Sequence, residues 1–403
     1  MLQNSNIRFL FVLMLAFSTS ICFSQNNTVS PYSRYGYGEI NDNVAGAYRA
    51  MGNVGIGMRG KGVINPMQPA SYSAVDSLTF MFDLAASGMY THYEDALGKR
   101  NRGGGNLEYL TMQFPIWKYI GLSLGFMPYT MTGYDITLTN SEYPYDTQTY
   151  TGTGGFSEIY LGLSYNFFNW AAIGANVYYL FGNVHHQRIL SSTLTNYKSI
   201  SFEDKINADD VRFRYGVQVF HTFDKHSFNI GGIFEAPTKL NGKYKQIDQT
   251  NADTLRADGG FGLPLVYGIG ASYTYDNRLT IAVDFLQSQW SQIEYRGEKG
   301  NLRDRNKISL GVEYRHNAWS KKYGERMPFR LGLSVQDAYI KQVKDKEFIV
   351  SVGMGFPLHN VATILNTSIE YGHRGSSKNL EEHFLRLTLN VAVAERWFFK
   401  RKL

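Results

Sequence analysis

Alternation of apolar and polar residues is the feature of this sequence that most limits its fold. In the last such stretch, one face of an extended chain would carry Leu385, Leu387, Leu389, Val391 and Val393. A period of two residues is typical of a β-strand with two unlike faces. Thirteen earlier stretches between residues 77 and 373 show the same pattern. Fourteen such strands predict a transmembrane β-barrel whose apolar face meets lipid and whose polar face meets the lumen.

The N-terminus of the sequence predicts export. Arg8 precedes a short apolar run, residues 9–17, and small or polar residues follow up to Ser24. This order is typical of a signal peptide, so we interpret residues 1–24 as a signal that is cleaved after Ser24. The apolar run is shorter than the roughly 20 residues with which a helix crosses a bilayer. Cys22 is the only cysteine and would leave with the signal, so we expect no disulfide in the mature chain.

The predicted export of the chain argues against a nucleic-acid partner, although its net charge is positive. The formal net charge is +6, and the positive charges are spread along the sequence apart from a cluster at Lys400, Arg401 and Lys402. Nucleic acid is an unsuitable partner for an exported barrel, whereas cationic side chains at a membrane surface contact anionic lipid headgroups. The cluster is equally consistent with a solvated chain end. We expect outer-membrane lipid as a partner, and no nucleic acid.

The connections between the predicted strands alternate in length. Those after even-numbered strands are mostly very short, such as residues 117–118 and 276–277, although 318–327 is longer. Those after odd-numbered strands are mostly long, and 341–346 is the exception. The long connections are residues 92–105, 133–154, 186–209, 237–262, 296–306 and 374–381. Outer-membrane barrels have short periplasmic turns and long outer loops, so the alternation predicts which end of the barrel faces outward.

Aromatic residues near the strand ends predict two belts at the membrane interfaces, where amphipathic rings settle. On the short-turn side these residues are Trp117, Phe168, Trp170, Tyr275 and Trp397. Toward the long loops they are Tyr90, Trp290, Tyr339 and Tyr371.

Several short motifs match an enzyme or cofactor site only in part. Residues 55–60 fit a dinucleotide-binding glycine pattern, but the sequence predicts neither the strand before it nor the helix after it that phosphate binding requires. His185 and His186 would point to opposite faces of a strand and could not easily chelate one ion together. Other histidines, such as His383, show no spacing that identifies a nucleophile and a base. We therefore expect no catalytic residue, no metal site and no cofactor, in a protein that is not an enzyme.

Strand parity also predicts charged side chains on the lumen face. They are Asp83, Arg212, Arg214, Asp284, Glu313, Arg315, Arg330 and Arg386. Buried charges must be paired. These residues would bind an N-terminal plug, line a pathway or hydrate the lumen.

Four short stretches resemble the FadL-like outer-membrane transporters, the OMPP1/FadL/TodX family. They are residues 46–52 (GAYRAMG), 65–67 (NPM), 125–129 (GFMPY) and 289–291 (QWS). The resemblance implies an N-terminal hatch in the lumen, residues 25–75 with Asn65 and Pro66 in its motif, and an outer-membrane barrel, residues 76–403. It further implies uptake of hydrophobic small molecules such as long-chain fatty acids.

In this family the substrate leaves sideways through the barrel wall where the third strand kinks. Pro128 and Gly133 fit such a kink, because proline donates no ladder hydrogen bond and glycine weakens a strand. The resemblance thus implies a hydrophobic small molecule, or detergent in its place, within the lumen.

Two departures leave a second function open. Met67 stands where the family motif has alanine, and the predicted lumen is rich in charge, which does not favour apolar cargo. Proteins of this superfamily also serve as non-transporting subunits. The alternative is therefore an accessory structural subunit of an outer-membrane protein assembly or secretion complex, with other outer-membrane proteins as partners.

Overall fold

The computed structural model describes residues 30–95, 98–139, 146–192, 199–249, 253–358, 363–376 and 380–396. The expected signal peptide, residues 1–24, and the cationic cluster at Lys400, Arg401 and Lys402 lie outside the described residues. None of the helices within the described residues is long and apolar enough to cross a membrane.

Fourteen long antiparallel strands pair in chain order to form the wall of the molecule. They are β1 Thr79–Asp95, β2 Gly98–Trp117, β3 Ile120–Thr139, β4 Asp146–Phe167, β5 Ala171–Ser192, β6 Ile200–Phe223, β7 His226–Glu235, β8 Val266–Tyr275, β9 Leu279–Ser288, β10 Arg305–Tyr314, β11 Phe329–Asp337, β12 Lys346–Pro357, β13 Ile364–Gly375 and β14 Leu380–Arg396. Strand β14 pairs with β1 along the whole length of β1, so the sheet closes on itself. The predicted fourteen-stranded antiparallel barrel is confirmed.

The two faces of the wall have the character that the alternation predicts. In β6, Val211 and Phe213 are exposed on the lipid side, whereas Arg212 and Arg214 between them are buried on the lumen side. Neighbouring residues of a strand point to opposite faces, so one strand supplies both surfaces. The protein lies in the bacterial outer membrane, with apolar side chains toward lipid and polar side chains inside.

The prediction that residues 92–105, 133–154 and 186–209 form loops is largely wrong, because most of them continue the strands. Strands β3 to β6 have 20 to 24 residues, whereas β7 to β11 have 9 or 10. The wall is therefore much taller on one side. Outside the membrane both faces of a strand are wet, so the apolar alternation disappears although the backbone pairing continues.

Residues 237–262 also contain regular structure. Two strands, Asn241–Asp248 and Asp253–Asp258, form a hairpin. The first of them pairs with residues 202–209 of β6 and extends the tall side of the wall. We call this hairpin and the outer parts of β4, β5 and β6 the projecting sheet.

The described part of the predicted hatch, residues 30–75, lies inside the barrel and is mostly irregular. It contains 3₁₀-helices at Pro31–Arg34 and Pro69–Ala74, a two-residue strand at Glu39–Ile40 and one turn of α-helix at Gly46–Arg49. So little regular structure leaves many backbone groups that need partners elsewhere. The lumen face of the wall supplies many of them, for example through the Ser351 hydroxyl, which accepts a hydrogen bond from the Gly52 amide at 2.9 Å.

Glycines of the wall allow the hatch backbone to approach closely. A Cβ atom added to Gly332 of β11 would overlap the Gly52 amide nitrogen, and one added to Gly311 of β10 would overlap the Met51 backbone oxygen. Only a residue without a side chain permits such contact between two backbones.

An aromatic cluster closes the outer part of the lumen above the hatch. Trp290 and Tyr339, which the sequence assigned to the outer membrane belt, are buried here with Tyr37 of the hatch. The ring centroids of Trp290 and Tyr339 are 4.9 Å apart. Both residues lie in outer connections that fold back into the barrel, which strand parity cannot reveal. Tyr90 and Tyr371 are exposed on the lipid side, as the belt requires.

Substitution of Gly332 by valine should loosen the hatch. The new side chain would meet the hatch backbone, and overpacking of this kind costs about 1 to 3 kcal/mol. We expect a lower free energy of unfolding in urea, measured in detergent micelles by tryptophan fluorescence. Gly88→Val in β1 is the control, because a Cβ atom there meets no atom within 4 Å. Equal stability of the two variants would contradict the close contact.

Candidate functional site

The glycine segment of the hatch binds a carboxylate of the wall. The amides of Gly55 and Ile56 donate to one oxygen of Asp284 at 2.5 and 2.7 Å, and the amide of Gly57 donates to the other oxygen at 3.0 Å. Successive amides that point at one anion form a nest, so the backbone here does hold negative charge. The anion is a side chain of β9 and not a nucleotide phosphate.

A second group of charges lies on the lumen face of strands β4, β6 and β7. Arg212 of β6 donates to Glu158 at 2.6 Å and also contacts Glu235, which in turn pairs with Arg214. Asn43 of the hatch completes the group by donating to Glu158 at 2.5 Å. All five side chains are buried. Buried charges of opposite sign in such contact satisfy each other, which is the condition for keeping them out of water.

Arg49 of the hatch contacts two strands of the wall, β2 and β13. Its guanidinium contacts Glu108 of β2 and lies 3.6 Å from Glu370 of β13. Glu108 occupies a bulge in the pairing of β1 with β2, which turns its side chain into the lumen. Arg386 of β14 lies 3.7 Å from the same Glu370.

Two acidic residues of the hatch pair with cations of the wall. Asp42 accepts from Arg305 at 2.6 Å and from Lys307 at 2.7 Å, both on β10. Glu39 contacts Arg374 of β13, and Arg374 also contacts Glu382 of β14. Hatch and wall are thus joined by ion pairs around much of the barrel.

The structure places the predicted luminal charges as follows. Asp83, Arg212, Arg214, Asp284 and Arg330 are buried on the lumen face. Glu313 pairs with Arg330 at 2.6 Å, and Arg386 reaches Glu370. Arg315 lies just past the end of β10, near the short-turn end of the lumen.

Sequence reasoning missed most of the other charged residues that form the ion pairs of the lumen. They are Glu39, Asp42, Arg49, Glu108, Glu158, Glu235, Arg305, Lys307, Glu370, Arg374 and Glu382. Parity alone would have found Glu158 and Glu370, which alternate with lipid-facing residues of β4 and β13. The acidic hatch residues have no such signal, because an irregular segment has no parity.

A cavity of about 130 Å³ remains between the hatch and strands β10 to β14. Its lining includes Arg49, Arg305, Lys307 and Arg374 together with Asp42 and Glu108. Apolar side chains such as Ile40, Val44 and Met131 also line this space, and its charged groups could bind a few water molecules.

The predicted hatch motif lies at the base of these networks. The Asn65 side chain donates to the Gly55 carbonyl at 2.7 Å and so holds the glycine segment in its bent path. The Pro66 carbonyl accepts from Asn176 at 3.2 Å and from Arg214 at 3.3 Å. Asn65 and Pro66 therefore connect the hatch to the Asp284 nest and to the Arg212 group.

The ladder between β2 and β3 is incomplete. These strands pair only from Leu110 opposite Phe126 to Trp117 opposite Ile120, at their short-turn ends. Beyond Phe126, β2 continues with β1 and β3 continues with β4. A wedge therefore separates the outer halves of β2 and β3.

The outer half of β3 turns toward the lumen at Pro128. The pairing of β3 with β4 shifts by one residue between Pro128 and Thr130, and residues 127–134 are all buried instead of alternating. The hatch strand Glu39–Ile40 pairs with the edge of β3 at Met131 and Thr130. Gly133 is bound to the hatch as well, because its amide donates to the Ser33 hydroxyl at 3.1 Å. The edge of β3 that lacks β2 thus has the hatch as its neighbour.

A closed fourteen-stranded barrel with a segment inside it is the fold of the FadL-type outer-membrane barrels, and solved structures share this fold. The Ralstonia pickettii toluene transporter TbuX is similar at 12% identity and a TM-score of 0.60, covering 88% of this chain and 98% of that one. The P. putida toluene transporter TodX is similar at 13% identity and a TM-score of 0.59, covering 89% and 100%. A Pseudomonas aeruginosa FadL homologue is similar at 11% identity and a TM-score of 0.56, covering 88% and 98%.

The family of the chain follows from its sequence as a whole. The family model BamG matches residues 6–403, so the chain belongs to the BamG family. No curated protein matches it. Among the structural neighbours, TbuX is described as a toluene transporter and CymD as a monoaromatic hydrocarbon channel.

Removal of a single charge from the Arg212 group should destabilise the barrel strongly. Arg212→Met would leave Glu158 buried with Asn43 as its remaining partner, and breaking a buried pair in this way costs about 3 to 5 kcal/mol. Arg278→Met is the control, because its pair with Asp276 at 3.2 Å is largely exposed and should contribute at most about 1 kcal/mol. Urea unfolding in micelles compares the two, and equal losses would argue against a structural role for the buried group.

Proposed function

We propose that this protein is an accessory, non-transporting subunit of an outer-membrane protein assembly or secretion complex. The observation that carries the proposal is the ion-paired lumen. Five ion pairs join hatch to wall through Glu39, Asp42 and Arg49, and their side chains are largely or fully buried. A barrel filled in this way is suited to a fixed structural role.

The energetics of the lumen support a permanent hatch. An apolar molecule that passed through would have to displace charges from their partners, and each broken buried pair costs about 3 to 5 kcal/mol. Its path would also lie along arginine and glutamate side chains, which gain nothing from apolar contact. The aromatic cluster of Tyr37, Trp290 and Tyr339 fills the space above the hatch through which cargo would enter.

The projecting sheet offers a surface to a partner outside the membrane. All six residues of its last strand, Asp253–Asp258, are exposed, and Leu255 presents 61% of its surface. Among the described residues this strand pairs on one side only, with Asn241–Asp248, and an unpaired edge can bind a strand of another chain. The FadL-like resemblance includes barrels that act as non-transporting subunits, and the family name BamG differs from the names of the hydrocarbon transporters.

Affinity purification from outer membranes in mild detergent tests this function. We expect the tagged protein to retain other outer-membrane proteins at a fixed ratio, and a photo-crosslinker at Leu255 to give a discrete adduct. A crosslinker at Leu331, which faces lipid on β11, is the control for random collision. Isolation only as a free monomer, with no adduct at Leu255, would overturn the proposal.

A second candidate function is uptake of hydrophobic small molecules, such as long-chain fatty acids, with lateral exit through the wall. The specific observation that favours it is the wedge between β2 and β3, where Pro128 and Gly133 turn the strand inward. The toluene transporters TbuX and TodX share the fold, and this likeness also supports uptake. In this function the hatch strand Glu39–Ile40 would have to leave the edge of β3.

A disulfide between hatch and β3 tests lateral exit directly. Ile40 and Thr130 are paired across the two strands, and opposite residues of an antiparallel ladder lie at a separation that a disulfide spans. In the Ile40→Cys/Thr130→Cys variant, oxidation should stop uptake of toluene and fatty acids, and a reducing agent should restore it. Equal uptake in the two states would exclude this route, and the single variants serve as controls for the oxidant.

A further inference from the structure

A row of histidines crosses the lipid-facing side of the barrel near its outer end. His373 of β13 lies opposite His383 of β14, and His383 lies opposite His92 of β1. In the same strands, two residues closer to the membrane centre, Tyr371 and Tyr90 belong to the outer aromatic belt. Two residues of a strand span about 7 Å, so the histidines lie at the level of the lipid headgroups and not in the hydrocarbon.

Glu381 joins two of these histidines. Its Oε1 atom lies 2.8 Å from Nε2 of His373 and 3.2 Å from Nε2 of His383. One ligand atom from each of the three residues falls within 4.8 Å of the other two. All three side chains are between 24% and 35% exposed, so ions in the medium can reach them.

The second ring nitrogen of His383 is occupied by a hydrogen bond. Nδ1 of His383 and the Tyr371 hydroxyl are 2.8 Å apart. When Nδ1 carries the proton and donates it to the hydroxyl oxygen, Nε2 is left with a lone pair, and a cation held between Nε2 and the Glu381 carboxylate would bind both. Histidines that bind metals commonly have their other nitrogen oriented in this manner. His92 is directed elsewhere, because its Nδ1 atom lies 2.6 Å from the Asn101 side chain.

We propose that His373, Glu381 and His383 form a binding site for a divalent transition-metal ion, with Zn²⁺ as the best match. Two imidazoles and one carboxylate are a zinc ligand set that leaves a fourth position for water or for a group of another molecule. Ligand atoms of a tetrahedral zinc site, each about 2.0 Å from the metal, lie about 3.3 Å from one another. The distances from Glu381 Oε1 to the Nε2 atoms of His373 and His383, 2.8 and 3.2 Å, are close to that separation.

The proposal goes beyond either candidate function, because the site lies on the outside of the wall and shares no residue with the lumen. The proposed zinc site departs from the expectation, drawn from the sequence, that the protein has no metal site. The ligands come from two strands separated by the connection 376–379, and only their register brings them together. An ion here would join β13 to β14 at the outer rim and would offer its open position to a partner or to a lipid phosphate.

Zinc titration of the purified full-length barrel tests the site, with a tag that contains no histidine. We expect one Zn²⁺ per chain by calorimetry, and Co²⁺ in its place should show the absorption of a tetrahedral nitrogen and oxygen site. The His373→Ala/His383→Ala variant should lose this binding. Glu381→Gln, which keeps the shape and hydrogen bonding of the side chain but removes its charge, should weaken it at least tenfold. Tyr371→Phe should weaken it by about 10- to 100-fold.

His226→Ala is the matched control. His226 also lies on the wall beside a tyrosine, with Nδ1 2.8 Å from the Tyr273 hydroxyl, but it is not among the described groups that could hold a metal. Its substitution should leave Zn²⁺ binding unchanged. If the double variant folds, as judged by heat-modifiable migration on gels, and binds as much Zn²⁺ as the native chain, the proposal is wrong. Absence of stoichiometric binding to the native chain would leave Glu381 as a hydrogen-bond acceptor for two histidines and would overturn it equally.

Discussion

The pairing of buried charges is the constraint on which the lumen depends. An irregular hatch with little secondary structure needs partners for its backbone, and the wall supplies carboxylates and hydroxyls that accept from it. The charged side chains of hatch and wall also need each other, because neither set could stay out of water alone. Asp284 shows both requirements in one residue, since three hatch amides satisfy a carboxylate that is buried on β9. The charged side chains of the wall therefore determine where the hatch binds inside the barrel.

The same constraint explains why the interior of this barrel is filled with charge. The resemblance to FadL-like transporters implied a kinked third strand, and in this chain β3 turns inward at Pro128. In this chain the space inside the strand is filled by ion pairs and by the aromatic cluster around Trp290. Fold and interior thus point to different functions, and the interior is the part that contacts any molecule in the lumen. Function therefore has to be inferred from the site and not from the architecture.

Much of the wall could be predicted from the sequence, because lipid and lumen impose opposite demands on alternate residues. Pro128 and Gly133 were selected because the resemblance implied a kinked third strand and because proline and glycine interrupt a ladder. Prediction failed where that contrast ends. Above the membrane both faces are wet, and residues 186–209 appeared to be a loop although 186–192 continue β5 and 200–209 belong to β6. Trp290 appeared to be a membrane anchor, because nothing in its local sequence indicates that its connection folds inward. Asp42 and Arg49 were not identified as partners, because contacts of an irregular segment depend on the register of distant strands.

The unequal height of the wall has a consequence for neighbours in the membrane plane. Strand β6 has 24 residues and β11 has 9, which correspond to about 80 and 30 Å along the strands. The strands of the low side are no longer than a bilayer requires. A second barrel of ordinary height can therefore lie flush against β9 to β11 with its own outer loops unobstructed, whereas the hairpin of Asn241–Asp248 and Asp253–Asp258 continues the wall beyond β7 and β8. Next to β4 to β6, the same neighbour would contact strands that extend further from the membrane than its own strands do. Lateral association is thus directional: one flank accepts contact within the bilayer alone, and the opposite flank extends contact to whatever lies outside the cell.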